Sequence, residues 1–253
     1  MEDLTWGRNP VLEALNGPRS LNRVLIARGS HGRVKEIAEL ARSRGVPVQI
    51  VERQVLDKLC GGAKHQGVVA YLSPKRYASL EEVLAIASER REPPLLLMLA
   101  GWEDPQNFGS ILRSAEAAGV HGVIIPERRA VPLTGTVAKA SAGALEYISV
   151  CRVKNLSQAL KELKDAGLWV VGADPAGDVQ YFEADLTLPL VLVVGGEGKG
   201  LGHLAKGCDL LVRLPMRGRV GSLNAAVAGA IILYEALRQR LGQADKSSLF
   251  FGG

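Results

Sequence analysis

The sequence predicts an α/β protein in two parts, a small N-terminal module followed by a larger unit on a parallel sheet, and three observations support this. From residue 95 onward, strand-length runs are apolar on both faces: residues 95–99, 123–125, 169–173, 190–194 and 210–214. Helix-length stretches separate them, as expected of a parallel sheet covered on both sides. Before residue 95 the chain alternates short helical and extended patterns, then reaches Pro93-Pro94, which cannot continue a helix.

In the N-terminal module, residues 11–15 read as a short helix, 23–27 as a strand, 34–44 as an amphipathic helix and 48–51 as a second strand. Another short helix, 55–60, leads through Gly61-Gly62 to an apolar strand at 68–72. The expected division is a module of residues 1–76, a linker of 77–94 containing a polar helix at 80–90, a sheet unit of 95–242 and a mobile tail of 243–253. The last helix, residues 225–240, opens Ala-Ala-Val-Ala-Gly-Ala, small side chains that let another backbone come close.

Of the 253 residues, 47% are hydrophobic, enough to bury a substantial core. No apolar run reaches the roughly 18 residues of a membrane span. Met1-Glu2-Asp3 carries acid where a secretory signal carries base, so a cytoplasmic protein is expected, with no membrane partner. Cys60, Cys151 and Cys208 show no Cys-x-x-Cys spacing, which argues against a disulfide framework or a zinc site. Residues 1–76 hold 13 Lys+Arg against 7 Asp+Glu, so the positive balance of a +5 chain lies in that third. A polyanion such as RNA would be attracted there; a solvated basic surface without a partner is the alternative.

Three segments of the sheet unit carry chemistry. The first follows strand 95–99 and runs from Asp104 through Asn107 to Arg113. Phe108, Ile111, Leu112 and Ala115 share one helical face, and Arg113 projects from roughly the opposite side. On these residues alone, a solvated arginine with Asn107 as N-cap explains the pattern equally well. The second is a buried strand entering Gly195-Gly196-Glu197-Gly198-Lys199-Gly200-Leu201, where bare backbone can approach a ligand. Leu201 stands where a Walker loop needs lysine, and Glu197 would repel a pyrophosphate, so a ligand without phosphates fits better. The third, from Arg213 through Leu214-Pro215-Met216 to Ser222-Leu223-Asn224, joins the last strand to the final helix; Ser222 and Asn224 could serve simply as caps. His31, His65, His121 and His203 fall outside these segments without metal-ligand spacing, and surface or turn roles are expected for them.

Taken together and in this order, Asn107 with Arg113, the Gly-Gly-Glu-Gly turn, and Leu-Pro-Met with Ser-Leu-Asn resemble the three motifs of the SpoU-type RNA ribose methyltransferases, which belong to the knotted SPOUT class. The resemblance covers about residues 95–240. The stretches Trp6 to Leu15 and His65-Gln66-Gly67-Val68 are similar to the small N-terminal RNA-binding domain of the RlmB-like subgroup, whose fold resembles a ribosomal protein and whose substrate is a guanosine of large-subunit (23S) ribosomal RNA.

The resemblance implies S-adenosylmethionine bound in a trefoil knot, with Gly195, Gly196, Leu214, Met216, Ser222 and Leu223 lining its pocket. It implies catalytic or positioning roles for Asn107, Arg113, Glu197, Ser222 and Asn224, and RNA contacts from Arg8, Asn9, Arg28, His65 and Gln66. No metal is implied. A homodimer through the knotted domain is, and it would bring one subunit's Arg113 to the other's cofactor. Because a guanidinium stays protonated, Arg113 is expected to stabilise the developing alkoxide and hold a neighbouring phosphate rather than remove the proton. Rival readings are a transfer-RNA or resistance methyltransferase, a silent RNA-binding protein, and a nicotinamide-dependent oxidoreductase.

Overall fold

The structure, a computed structural model, describes residues 3–196, 198 and 200–250, with side chains described as far as 243. In chain order the elements are β1 (Asp3–Trp6), α1 (Arg8–Asn16), β2 (Leu21–Ala27), α2 (Arg33–Ser43), β3 (Val48–Val51), α3 (Arg53–Leu59) and β4 (Val68–Leu72). Then come α4 (Leu80–Arg90), β5 (Leu95–Ala100), α5 (Pro105–Ala117), β6 (Gly122–Pro126), α6 (Gly135–Ala140), β7 (Val150–Val153), α7 (Leu156–Asp165), β8 (Trp169–Ala173), β9 (Val179–Gln180), β10 (Leu190–Gly195), β11 (Leu210–Arg213) and α8 (Ala225–Phe250).

Two compact units result. The first comprises Met1–Arg76 together with Phe108–Arg113 and Pro132–Tyr147. Its sheet runs β1-β4-β2-β3, with β2 and β3 parallel and the other pairs antiparallel. Val11, Ala14 and Leu15 of α1 and Val34, Ile37 and Ala41 of α2 bury against Val24, Ile26, Val68 and Ala70 on one face. Leu56 of α3 covers Leu25, Ala27 and Val69 on the other. β1 escaped the sequence reading because Asp3-Leu4-Thr5-Trp6 offers no apolar run and its one fully buried residue is Thr5. The later segment joins this unit through close contact: a Cβ on Gly135 of α6 would stand 1.5 Å from the Leu4 carbonyl oxygen. Arg19 adds a buried ionic link, donating to Asp3 and, at 3.3 Å, to Glu146. Burial pushes the Glu146 carboxyl up, with Arg19 and Lys75 opposing the shift.

The second unit holds seven strands, all parallel, in the order β7-β6-β5-β10-β8-β11-β9. β5 to β7 step outward in one direction. β8 begins on the other side, β10 inserts between β5 and β8, and β11 lies beyond β8. Residues 77–94, expected as a linker, are instead part of this unit. Ser79 and Glu82 form a reciprocal capping box that starts α4. Val83 then packs in the core beside Leu96, Met98 and Ile124, and Gly122 lacks the Cβ that would meet Val83 Cγ1 at 2.3 Å. α8 continues to Phe250 rather than ending at residue 240 before a tail, because Gly242 is followed by no proline and one glycine only weakens a helix. Arg240 anchors it, donating to the carbonyl oxygens of Pro93 (2.5 Å), Pro94 (3.0 Å), Leu186 (3.2 Å) and Leu188 (2.8 Å).

Two of the histidines expected in surface or turn roles are buried, His65 and His121. His121 is 2% exposed; its Nδ1 accepts from the Leu95 N–H at 3.0 Å and its Nε2 lies 3.0 Å from Glu92. Burial lowers its pKa, Glu92 opposing. A histidine depressed in the folded state stabilises fully above its unfolded pKa of about 6.5 and loses that contribution as pH falls below it. Thermal unfolding measured from pH 8 to 5 should therefore show an acid-side fall in Tm that His121→Gln reduces; an identical fall in the variant would exclude this role. Cys60, Cys151 and Cys208 are free thiols, and burial pushes Cys151 and Cys208 up to about 11.

Candidate active site

Parallel sheets leave their ligand-accepting edge at the strand carboxyl ends. In the second unit β8, β10 and β11 end together there, beside the start of α8. Gly195 and Gly196 close β10. A Cβ on Gly195 would meet the Gly200 carbonyl carbon at 2.1 Å, and one on Gly196 would meet the Gly101 oxygen at 2.1 Å. The turn folds back on itself, with Gly196 bridging Gly200. The Gly196 N–H donates to Ala100 O at 2.7 Å, and the buried Trp102 indole donates to Val194 O at 3.0 Å. These bonds hold a bare stretch of backbone in place as one wall of a cavity.

That cavity measures about 430 Å3 and brings together Gly195, Gly196, Leu214, Met216, Ser222, Leu223 and Asn224. All six residues expected to hold a cofactor thus share one space. Asp174 after β8, and Ile232 about two turns into α8, also line it; the sequence reading missed both, although a carboxylate directly after a buried strand was a usable signal. Among the described lining residues there is no lysine or arginine, while Asp174 supplies a carboxylate. A polyphosphate would find no counter-charge there; a neutral or cationic ligand would.

Asn224 is the N-cap of α8: its Oδ1 accepts from the N–H groups of Ala226 (2.9 Å) and Val227 (3.3 Å), leaving Nδ2 to donate to Asn107 Oδ1 at 3.0 Å. The first and third sequence segments thus meet in one side-chain bond. Asp104, not Asn107, caps α5, accepting from the Asn107 N–H at 2.7 Å, with Pro105 at the first helical position. The Asn107 side chain is thereby released for Asn224. Arg113 is exposed on α5 and lines neither this cavity nor the larger groove beside it. Glu197 lies outside the described residues.

In the first unit, Arg8 and Asn9 are exposed at the start of α1, and the Arg8 N–H donates to Gln66 Oε1 at 2.9 Å. Arg28 is exposed beside Glu52 at 3.0 Å. His65 does not join them as an RNA contact: it is 2% exposed, its Nδ1 accepts from Gly67 N–H and its Nε2 lies 3.0 Å from Asp57, so both nitrogens are used inside the fold.

Residues 94–234 match the SpoU rRNA methylase family, and residues 4–78 match the RNA 2′-O ribose methyltransferase substrate-binding family. A Bacillus subtilis protein provisionally named TrmH family tRNA/rRNA methyltransferase YacO is 46% identical over 94% of this chain and 96% of its own. A Staphylococcus saprophyticus protein of the same provisional family name is 44% identical, covering 95% and 97%. Among solved structures, the SpoU methyltransferase AviRb from Streptomyces viridochromogenes in complex with AdoMet superposes with TM-score 0.80 at 29% identity, covering 95% of this chain and 91% of that one. An AdoMet-bound rRNA methyltransferase from Sinorhizobium meliloti gives TM-score 0.77 at 29% identity, covering 94% and 87%.

Proposed function

As the chain belongs to the SpoU methylase family, we propose that it is an RNA ribose 2′-O-methyltransferase whose methyl donor, S-adenosylmethionine, occupies the 430 Å3 cavity at the ends of β8, β10 and β11. One observation carries the reading: the second and third sequence segments line that cavity together, and the bond from Asn224 to Asn107 ties the first segment to them. The donor fits its lining. Bare backbone at Gly195 and Gly196 gives close approach, Leu214, Met216, Leu223 and Ile232 offer apolar surface, and Asp174 offers the only described charge, suited to a cationic ligand. When bound, S-adenosylmethionine supplies an electrophilic methyl on a sulfonium.

The residues of the chain do the rest. Asn224 and Asn107 fix the α8 and α5 starts relative to one another, and Ser222 offers a hydroxyl at the cavity wall. Arg113 stabilises negative charge growing on the ribose 2′-oxygen and anchors the adjoining phosphate. The trefoil knot implied by the family agrees with β10 inserted between β5 and β8.

The substrate we favour is a guanosine of 23S ribosomal RNA, presented by the first unit through Arg8, Asn9, Arg28 and Gln66. The net charge of residues 1–76 supports this, as does the substrate-binding family match over residues 4–78. Transfer RNA is the second reading, favoured by the paired tRNA/rRNA names of the relatives. The protein acts in the cytoplasm as a homodimer. Exposed Val227, Tyr234 and Leu241, seven residues apart, form an apolar stripe along α8 suited to a second copy. No helix among the described residues is long and apolar enough to cross a membrane. Mapping ribose methylation in ribosomal and transfer RNA from cells lacking the protein should show one 23S guanosine unmethylated and restored by complementation. Loss at a transfer-RNA position would select the second reading, and no loss in either would overturn both.

A further inference from the structure

Beside the donor cavity lies a second, larger space of about 890 Å3, bounded by the segments that follow β5, β6 and β7 and sharing Gly196, Gly200 and Ala225 with the first. Its charges are sorted by strand. Glu103 and Asp104 follow β5, next to β10; Arg128 and Arg129 follow β6; Lys154 follows β7 at the sheet edge. Adjacent strands are about 4.8 Å apart, so this basic end stands about 10 to 14 Å from β10. All three cations are exposed. Arg129 has φ +58°, the left-handed conformation that glycine adopts without penalty and arginine does not.

We propose that this groove holds the RNA strand flanking the target ribose, with Arg128, Arg129 and Lys154 at its phosphates and the β5 end receiving the target nucleoside. The assignment rests on the methyltransferase reading above and adds to it a phosphate-binding track in the second unit, separate from the basic first unit. The polarity fits the ligand. A ribose to be methylated sits beside the donor and needs hydrogen-bonding groups such as Asn107, whereas the charge of the strand lies farther out, where the cations are. The carboxylates near β10 disfavour a phosphate slipping into the donor cavity, and Asp104 is already committed to the Asn107 N–H.

The test compares the triple variant Arg128→Gln/Arg129→Gln/Lys154→Gln with a control of equal charge loss on the same unit, Arg90→Gln/Arg91→Gln/Lys161→Gln. The readouts are methylation of RNA extracted from cells lacking the protein, binding of a short single-stranded RNA oligomer across a salt series, and S-adenosylmethionine affinity. The groove variant should raise the KM for RNA about 10- to 100-fold and flatten the log–log salt slope by about 2, close to three lost single-strand phosphate contacts. Its donor affinity should stay at the wild-type value. Arg129→Gly separates binding from folding: it removes the charge at a backbone position glycine prefers, so it should raise KM while unfolding no earlier than wild type. If the groove triple matches the control triple in KM and slope while wild type methylates RNA, the phosphate track is wrong and the methyltransferase reading stands. If wild type binds no donor and methylates no RNA, the underlying reading fails and the track with it.

Discussion

Arg113→Lys is expected to lower methyl transfer by about two to three orders of magnitude while leaving S-adenosylmethionine affinity unchanged. Lysine keeps the positive charge but loses the planar fork that can hold a phosphate and a developing alkoxide together. Arg113 is exposed and lines neither cavity of its own chain, so the homodimer reading assigns it to the partner's site. Co-expression tests this directly. A chain with Arg113→Lys but an intact donor cavity, paired with a chain defective only in that cavity, should regain activity because each supplies what the other lacks. Hybrids as inactive as their parents would place the arginine in its own subunit's site, and near-normal turnover of Arg113→Lys alone would exclude the bidentate role.

The second large effect is expected at Gly195. Alanine there puts a Cβ 2.1 Å from the Gly200 carbonyl carbon and 2.2 Å from its oxygen, backbone atoms that cannot rotate away. The turn must open, and the wall opposite Leu214 and Leu223 moves with it. Gly195→Ala should weaken S-adenosylmethionine binding by at least about tenfold, roughly 1.4 kcal/mol, measured by calorimetry. Gly218 is the control: it lies in the loop before α8 but lines neither cavity, and nothing stands within 4 Å of its missing Cβ. Gly218→Ala should bind the donor nearly as wild type. Equal losses at the two positions would show that loop flexibility, not close backbone approach, governs affinity.

Much of the second unit was legible because its strands are apolar on both faces and its segments end in glycine or capping residues. β7 and β9 were not: Val150–Val153 exposes Arg152, and Val179–Gln180 is two residues long, so neither carries a buried-strand pattern. Placing Ser222, Leu223 and Gly195 in one cavity depended on the resemblance, since no periodicity foretells that β10 inserts between β5 and β8. His65 misled because a histidine beside Gln66 in a basic module reads as a contact, while its bonds to Asp57 and Gly67 exist only after folding. The basic groove was hidden by summation. Beyond residue 76 the acidic and basic residues nearly cancel, yet the loops after β6 and β7 gather Arg128, Arg129 and Lys154 on one edge.

The most direct measurement is calorimetric titration of the purified full chain with S-adenosylmethionine and, separately, with NAD. The proposed function predicts saturable binding of the sulfonium donor with about one equivalent per chain, weakened by Gly195→Ala, and no heat of binding from the dinucleotide. Saturable NAD binding without any response to S-adenosylmethionine would contradict it.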